Sequence, residues 1–171
     1  MGSLREVKNP LSLLKAFSLV AKEETEVDLA YVGDGPLREE LEAEIESLGL
    51  KSRVHLAGVR LPASPYFGGF DMFVQPSFSE ACSLALLEAM YRGVPVIVSS
   101  GGGGPELVED KNSGLVVPVN DEEALSSAIL ATLANAEEVS KRITAARHRV
   151  ETEFDFASML SAYEEIYESC L

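Results

Sequence analysis

Tryptophan is absent from this chain, and cysteine is reduced to Cys82 and Cys170. Two unpatterned cysteines suggest neither a disulfide framework nor a zinc site. His55 and His148 have no ligand partners at metal spacing and read as structural residues, and no Asp-x-Asp occurs anywhere. The chemistry is therefore expected to need no metal. No apolar run approaches the ~18 to 20 residues that cross a bilayer, and the first residues lack the charged-then-apolar order of a signal peptide. A cytoplasmic protein is expected. Positive charge is scarce too: 14 Lys and Arg face 28 Asp and Glu, for a formal net charge of −14. That balance repels nucleic acid and anionic lipid and leaves no basic stripe. The acidity reads as a solvated surface, and it gives weight to each cation near a phosphate site, Lys8 first.

What is present is an ordinary globular composition, with 46% hydrophobic and 25% charged residues in 171, enough for one domain with a substantial core. Apolar runs rich in β-branched residues recur at 27–32, 54–57, 72–75, 94–98 and 115–117. Helical patterns fall at 10–24, 37–48, 83–92, 105–109, 121–135, 136–153 and from 156 onward. This alternation predicts an α/β fold, a Rossmann-like parallel sheet with helices on both faces. Asp121 is a candidate N-cap, Gly49 and Gly93 follow helix ends, and Pro36 and Pro105 open helices. The glycine-rich segment 64–69 reads as a loop with a helical turn. There is no internal repeat and no low-complexity linker.

The richest segment holds Glu80 and Glu88, separated by seven residues, between the apolar runs at 72–75 and 94–98. One carboxylate just before a helix and another two turns inside it lie near free N–H groups and the positive end of the helix dipole. This arrangement suits a phosphorylated sugar, whose hydroxyls donate to carboxylates while amides hold the phosphate. Gly33-Asp34-Gly35 is no dinucleotide fingerprint, because Arg38 occupies the third glycine position. Cys82 beside the site reads as a small packing residue rather than a nucleophile.

With its Glu80 to Glu88 spacing and the run Leu87-Glu88-Ala89-Met90-Tyr91-Arg92-Gly93-Val94-Pro95-Val96, the chain resembles the nucleotide-binding, C-terminal half of retaining GT-B glycosyltransferases, the glycosyl transferases group 1 family. Leu4-Arg5-Glu6-Val7-Lys8-Asn9-Pro10 resembles the family's first loop, Val32-Gly33-Asp34-Gly35-Pro36-Leu37 its second ligand-facing turn, and the stretch from Gly102 to Val108 its glycine-rich turn. Almost the whole chain is covered.

The resemblance implies a donor-binding domain over residues 1–171 that takes a UDP-sugar or GDP-sugar without a cofactor. It assigns Glu80 to the donor sugar as the catalytic carboxylate, Glu88 to the ribose, Lys8 to the diphosphate, Ser83 and Leu84 to the distal phosphate through helix amides, and Gly33 to the donor-binding turn. Relatives often carry an arginine where Ser3 stands, so this chain either lacks one cation or replaces it with Arg5 or Arg60. They also often carry Gly-Phe-Gly where this chain has Ala81-Cys82-Ser83, which narrows the approach to the sugar. Glu106 either caps its helix or touches the phosphate region. Also implied are a preceding apolar strand and an upstream acceptor domain for a glycan or lipid-linked hydroxyl, with peripheral membrane association open for such a full enzyme. Without that domain the chain is expected to be inactive. A nucleotide-sugar-binding subunit completed by a separate chain and a sugar-nucleotide epimerase are the alternatives.

Overall fold

The computed structural model describes residues 1–169; Cys170 and the end of the helix expected from 156 onward lie outside them. Strands β1 (Leu29–Val32), β2 (Val54–Gly58), β3 (Phe73–Gln75), β4 (Val96–Ser99) and β5 (Leu115–Val117) follow the β-branched runs. Between and after them come α1 (Pro10–Glu23), α2 (Arg38–Ser47), α3 (Leu84–Tyr91), α4 (Gly104–Leu107), α5 (Glu122–Ala134), α6 (Ala136–Glu153) and α7 (Phe156–Ser169). The 64–69 segment is a 3₁₀ helix, and a second 3₁₀ turn, Glu6–Lys8, lies in the first loop where none was expected.

Local chemistry sets the ends. Pro10 opens α1, where a missing N–H costs nothing. The Asp121 carboxylate accepts from Ala124 N at 2.8 Å and starts α5, while Asn135 Oδ1 accepts from Glu138 N at 3.2 Å and starts α6 directly behind it. Gly49 and Gly93 end α2 and α3 with φ of 70° and 74°. Pro36 does not open α2 as expected. Leu37 N donates to Leu4 O and Arg38 N to Gly35 O, so Pro36 belongs to a turn and the helix begins two residues later. Likewise β1 starts at Leu29 rather than at 27, because the Arg53 guanidinium takes the Val27 carbonyl (Nε at 2.9 Å).

All strand pairs are parallel, as the alternation predicts, but they form two sheets: β1-β2, with Leu29 opposite Val54, and β3-β4-β5, with Phe73 opposite Val96 and Ile97 opposite Leu115. Helices cover both faces. Leu14, Phe17 and Val20 of α1 pack with Leu41 of α2 and with Leu125 and Ile129 of α5. On the other face, Leu86, Ala89 and Met90 of α3 meet Ala146 of α6. Within β4, Ile97 joins the first core and Val96 and Val98 the second, which is the alternation that a strand buried on both faces requires. In α7, Phe156, Met159, Leu160, Tyr163, Ile166 and Tyr167 are all exposed.

Candidate donor site

Ligands of open α/β sheets bind beyond the carboxyl ends of the strands, and here three loops meet at that edge. The loop before α3 donates Phe78 N to Val7 O of the first loop, at 2.8 Å, and its Glu80 carbonyl accepts from Gly103 N at 2.6 Å. Glycine is required in the third loop, 101–104. A Cβ on Gly101, Gly102 or Gly103 would strike the backbone of Phe78, Glu80 or Ala81 respectively, and Gly102 also has φ of 64°. A side chain there would displace the loop that carries Glu80.

This convergence brings Lys8 and Glu80, 72 positions apart in sequence, into a partly buried ion pair between the Lys8 ammonium and the Glu80 carboxylate. Burial pushes the Lys8 ammonium below its usual range. Lys8 ends the 3₁₀ turn Glu6–Lys8, and Asn9 then turns left-handed at φ 50° to enter α1. The Asn9 side chain does not cap α1. Its Nδ2 donates to Asn120 Oδ1 at 3.0 Å, tying the first loop to the turn before α5. Sequence reasoning missed this contact, whose only signal was a pair of asparagines able to adopt positive φ.

At the start of α3 the expectation needs refining. Ser83 is the N-cap: its hydroxyl accepts from Leu86 N at 3.3 Å and donates to Gln75 Oε1 at 2.5 Å. That takes one amide of the first turn and leaves the N–H groups of Ser83, Leu84 and Ala85 without intrahelical partners. Ala85 was not singled out in the sequence; placing the cap at Ser83 identifies it. Leu84 itself is 77% exposed. Glu88 lies one turn further along, half-buried, and its carboxylate forms no hydrogen bond or ion pair among the described residues.

Gly33 closes the first strand-to-helix turn with φ 143°, and its N–H donates to Gly58 O at 2.9 Å. A Cβ there would run into Gly2, and one on Gly35 into Leu4, so both glycines let the first loop lie against this turn. The other candidates sit apart from these groups. Arg5 and Arg60 are exposed, and among the described residues neither forms an ion pair. Glu106 does not cap α4, whose N-cap is Gly103 without a side-chain bond. Cys82 is exposed, so the packing role expected for it fails: the loop ahead of the Ser83 cap turns it to solvent. His55 bonds Asp28 at 2.9 Å, and no group of three or more His, Cys, Asp or Glu among the described residues could hold a metal ion. No described helix is long and apolar enough to cross a membrane.

Comparison with known proteins bears on the family and the fold. The chain is 31% identical over 173 residues to the N-acetyl-alpha-D-glucosaminyl L-malate synthase of Bacillus anthracis, a match that covers 100% of the chain and 45% of that protein. It is 32% identical over 133 residues to the UDP-Gal:alpha-D-GlcNAc-diphosphoundecaprenol alpha-1,3-galactosyltransferase of Escherichia coli, covering 76% of the chain and 34% of that protein. The chain thus spans less than half the length of these relatives. Among solved structures, Anabaena HepE in complex with UDP superposes with a TM-score of 0.90 at 24% identity, over 98% of this chain and 48% of that one. The C-terminal domain of a glycosyl transferase group 1 protein (LpcC) from Francisella tularensis superposes with 0.84 at 20% identity, over 91% and 84%. The family model described as "Glycosyl transferases group 1" matches residues 1–135; the chain belongs to that family and folds as the C-terminal half of a GT-B glycosyltransferase.

Proposed function

We propose that this chain is the donor-binding half of a retaining glycosyltransferase and holds a nucleotide-diphosphate sugar at the start of α3. The meeting of Lys8 and Glu80 beside that helix end carries the reading. Lys8 places its ammonium on the diphosphate, and the free amides of Leu84 and Ala85 donate to the distal phosphate. Glu88 accepts from the ribose hydroxyls, two of which one carboxylate can serve. Glu80 accepts from sugar hydroxyls and faces the positive charge that grows on the anomeric carbon as the diphosphate leaves. An incoming diphosphate competes with Glu80 for Lys8 and so releases the carboxylate toward the sugar. Gly33 leaves the neighbouring turn without a side chain.

With Lys8 and helix amides meeting the diphosphate charge, the reaction needs no metal. The transferred sugar goes to a hydroxyl of a glycan or lipid-linked acceptor held by a domain outside these residues, at the cytoplasmic side of any membrane. The Escherichia coli relative is named for UDP-Gal and a diphosphoundecaprenol-linked sugar, and the Anabaena structure is a complex with UDP, which supports a UDP-sugar ahead of a GDP-sugar. A thermal-shift panel of UDP, GDP and ADP with their sugars tests the reading. At about 100 times its dissociation constant a ligand adds about 2.7 kcal/mol, which raises Tm by several degrees in a domain of this size. The shift is expected for UDP and a UDP-sugar; no shift with any nucleotide would overturn the proposal.

A further inference from the structure

The turn that presents Lys8 is weakly built by itself. Glu6–Lys8 is a 3₁₀ turn of three residues, none of them buried, and it starts at Arg5 without a side-chain cap. Its own bonds are Lys8 N to Arg5 O at 2.9 Å and Asn9 N to Glu6 O at 2.8 Å, and 3₁₀ geometry makes such bonds poorer than those of an α-helix. Lys8 carries its ammonium on a flexible four-carbon stem, so the place of the charge depends on what fixes the backbone beneath it. Three outside bonds do that. Phe78 N donates to Val7 O, the Tyr31 hydroxyl donates to Pro10 O at 2.8 Å, and Asn9 Nδ2 donates to Asn120 Oδ1 at 3.0 Å. The last of these grips the residue next to Lys8 by its side chain.

Asn9 and Asn120 both have left-handed backbones, with φ of 50° and 58°, a need that glycine would meet as well. Asparagine adds an amide, and the two amides meet across 111 positions of sequence. Asn9 is 7% exposed, so removal of Asn120 would leave a buried donor short of its partner. Asn120 itself is exposed. It directly precedes Asp121, the cap of α5, and Leu125 and Ile129 of α5 pack with Leu14 and Phe17 of α1. The contact therefore ties the Lys8 turn to the helix framework rather than to the loop that carries Glu80.

We propose that Asn120 is a positioning residue for donor binding: through the Asn9 amide it holds the turn that sets where the Lys8 ammonium meets the diphosphate. The proposal rests on the donor reading above. Asn120 touches no part of the donor in it and acts only through Asn9 and Lys8.

The test replaces the amide and keeps the turn. Asn120→Gly retains the left-handed backbone and loses the bond. Without nucleotide, amide hydrogen exchange at Lys8 and Asn9 should quicken roughly tenfold. In competition binding the variant should lose roughly three- to tenfold in affinity for UDP and hardly any for uridine, and a Lys8→Ala background should abolish that loss, because the two residues act on one contact. Asn120→Asp supplies an oxygen that can accept from Asn9 Nδ2; at physiological salt, which screens an exposed charge over about 8 Å, it should restore the native ratio of UDP to uridine affinity. A merely structural role would lower Tm and weaken both ligands alike. Unchanged exchange at Lys8 and Asn9, equal losses for UDP and uridine, or a loss that persists in full without Lys8 would overturn the proposal and leave the donor reading standing. A native chain that binds no UDP would overturn the donor reading, and the proposal with it.

Discussion

Lys8 is the residue on which most of the site's electrostatics turns. It is the cation the first loop presents at the edge where three loops converge, and it is already paired with Glu80. A single ammonium acts as a point charge, so its loss should be felt by the diphosphate and not by the base or ribose. Lys8→Ala is expected to weaken UDP by roughly 1.5 to 3 kcal/mol and uridine hardly at all, as competition binding would read. Equal losses for the two ligands would remove Lys8 from the phosphate. Both members of the pair were legible in the sequence as separate candidates, yet nothing in the chain said that they touch. That contact depends on the Phe78 to Val7 and Gly103 to Glu80 backbone bonds, which arise only when the loops are folded together.

Among the elements, α3 is a core helix whose start the proposal assigns to the phosphate, and Ser83 joins the two roles. Its hydroxyl caps the helix and satisfies the buried Gln75 carbonyl oxygen at the end of β3. Ser83→Ala removes a cap and leaves Gln75 one donor short, about 2 kcal/mol together. Thermal denaturation should show Tm lower by about 4 to 8 °C; an unchanged Tm would show that the cap is dispensable. Periodicity and β-branched runs located every strand and helix of the described residues within a few positions, because those signals follow directly from burial. The 3₁₀ turn Glu6–Lys8 and the displaced start of α2 were not legible. Each rests on a tertiary hydrogen bond, Phe78 N to Val7 O and Leu37 N to Leu4 O, and local sequence carries no trace of such partners. Glu88 lay on its helix as expected, but the role of Ala85 emerged only with the position of the cap.

At the scale of the whole molecule, the proposal gives these residues the donor and leaves the acceptor to another body. Catalysis of transfer requires groups that stabilise a transition state shared by both substrates, and the exposed apolar stripe of α7, from Phe156 to Tyr167, is surface that another body would cover. Incubated with a donor that it binds and with candidate acceptors, the chain alone should release no glycosylated product, and EDTA should leave its donor binding unchanged. Robust transfer by these 171 residues would refute the half-enzyme reading, and loss of binding on chelation would refute the metal-free one. The central claim is that the start of α3 holds the nucleotide of the donor, and isothermal calorimetry with UDP-glucose on the native chain and on Glu88→Ala tests it most directly. The account predicts one-site binding by the native chain and a loss of about 1.5 to 3 kcal/mol in the variant, roughly 10- to 150-fold in Kd. Identical affinity in a variant that melts like the native chain would contradict it.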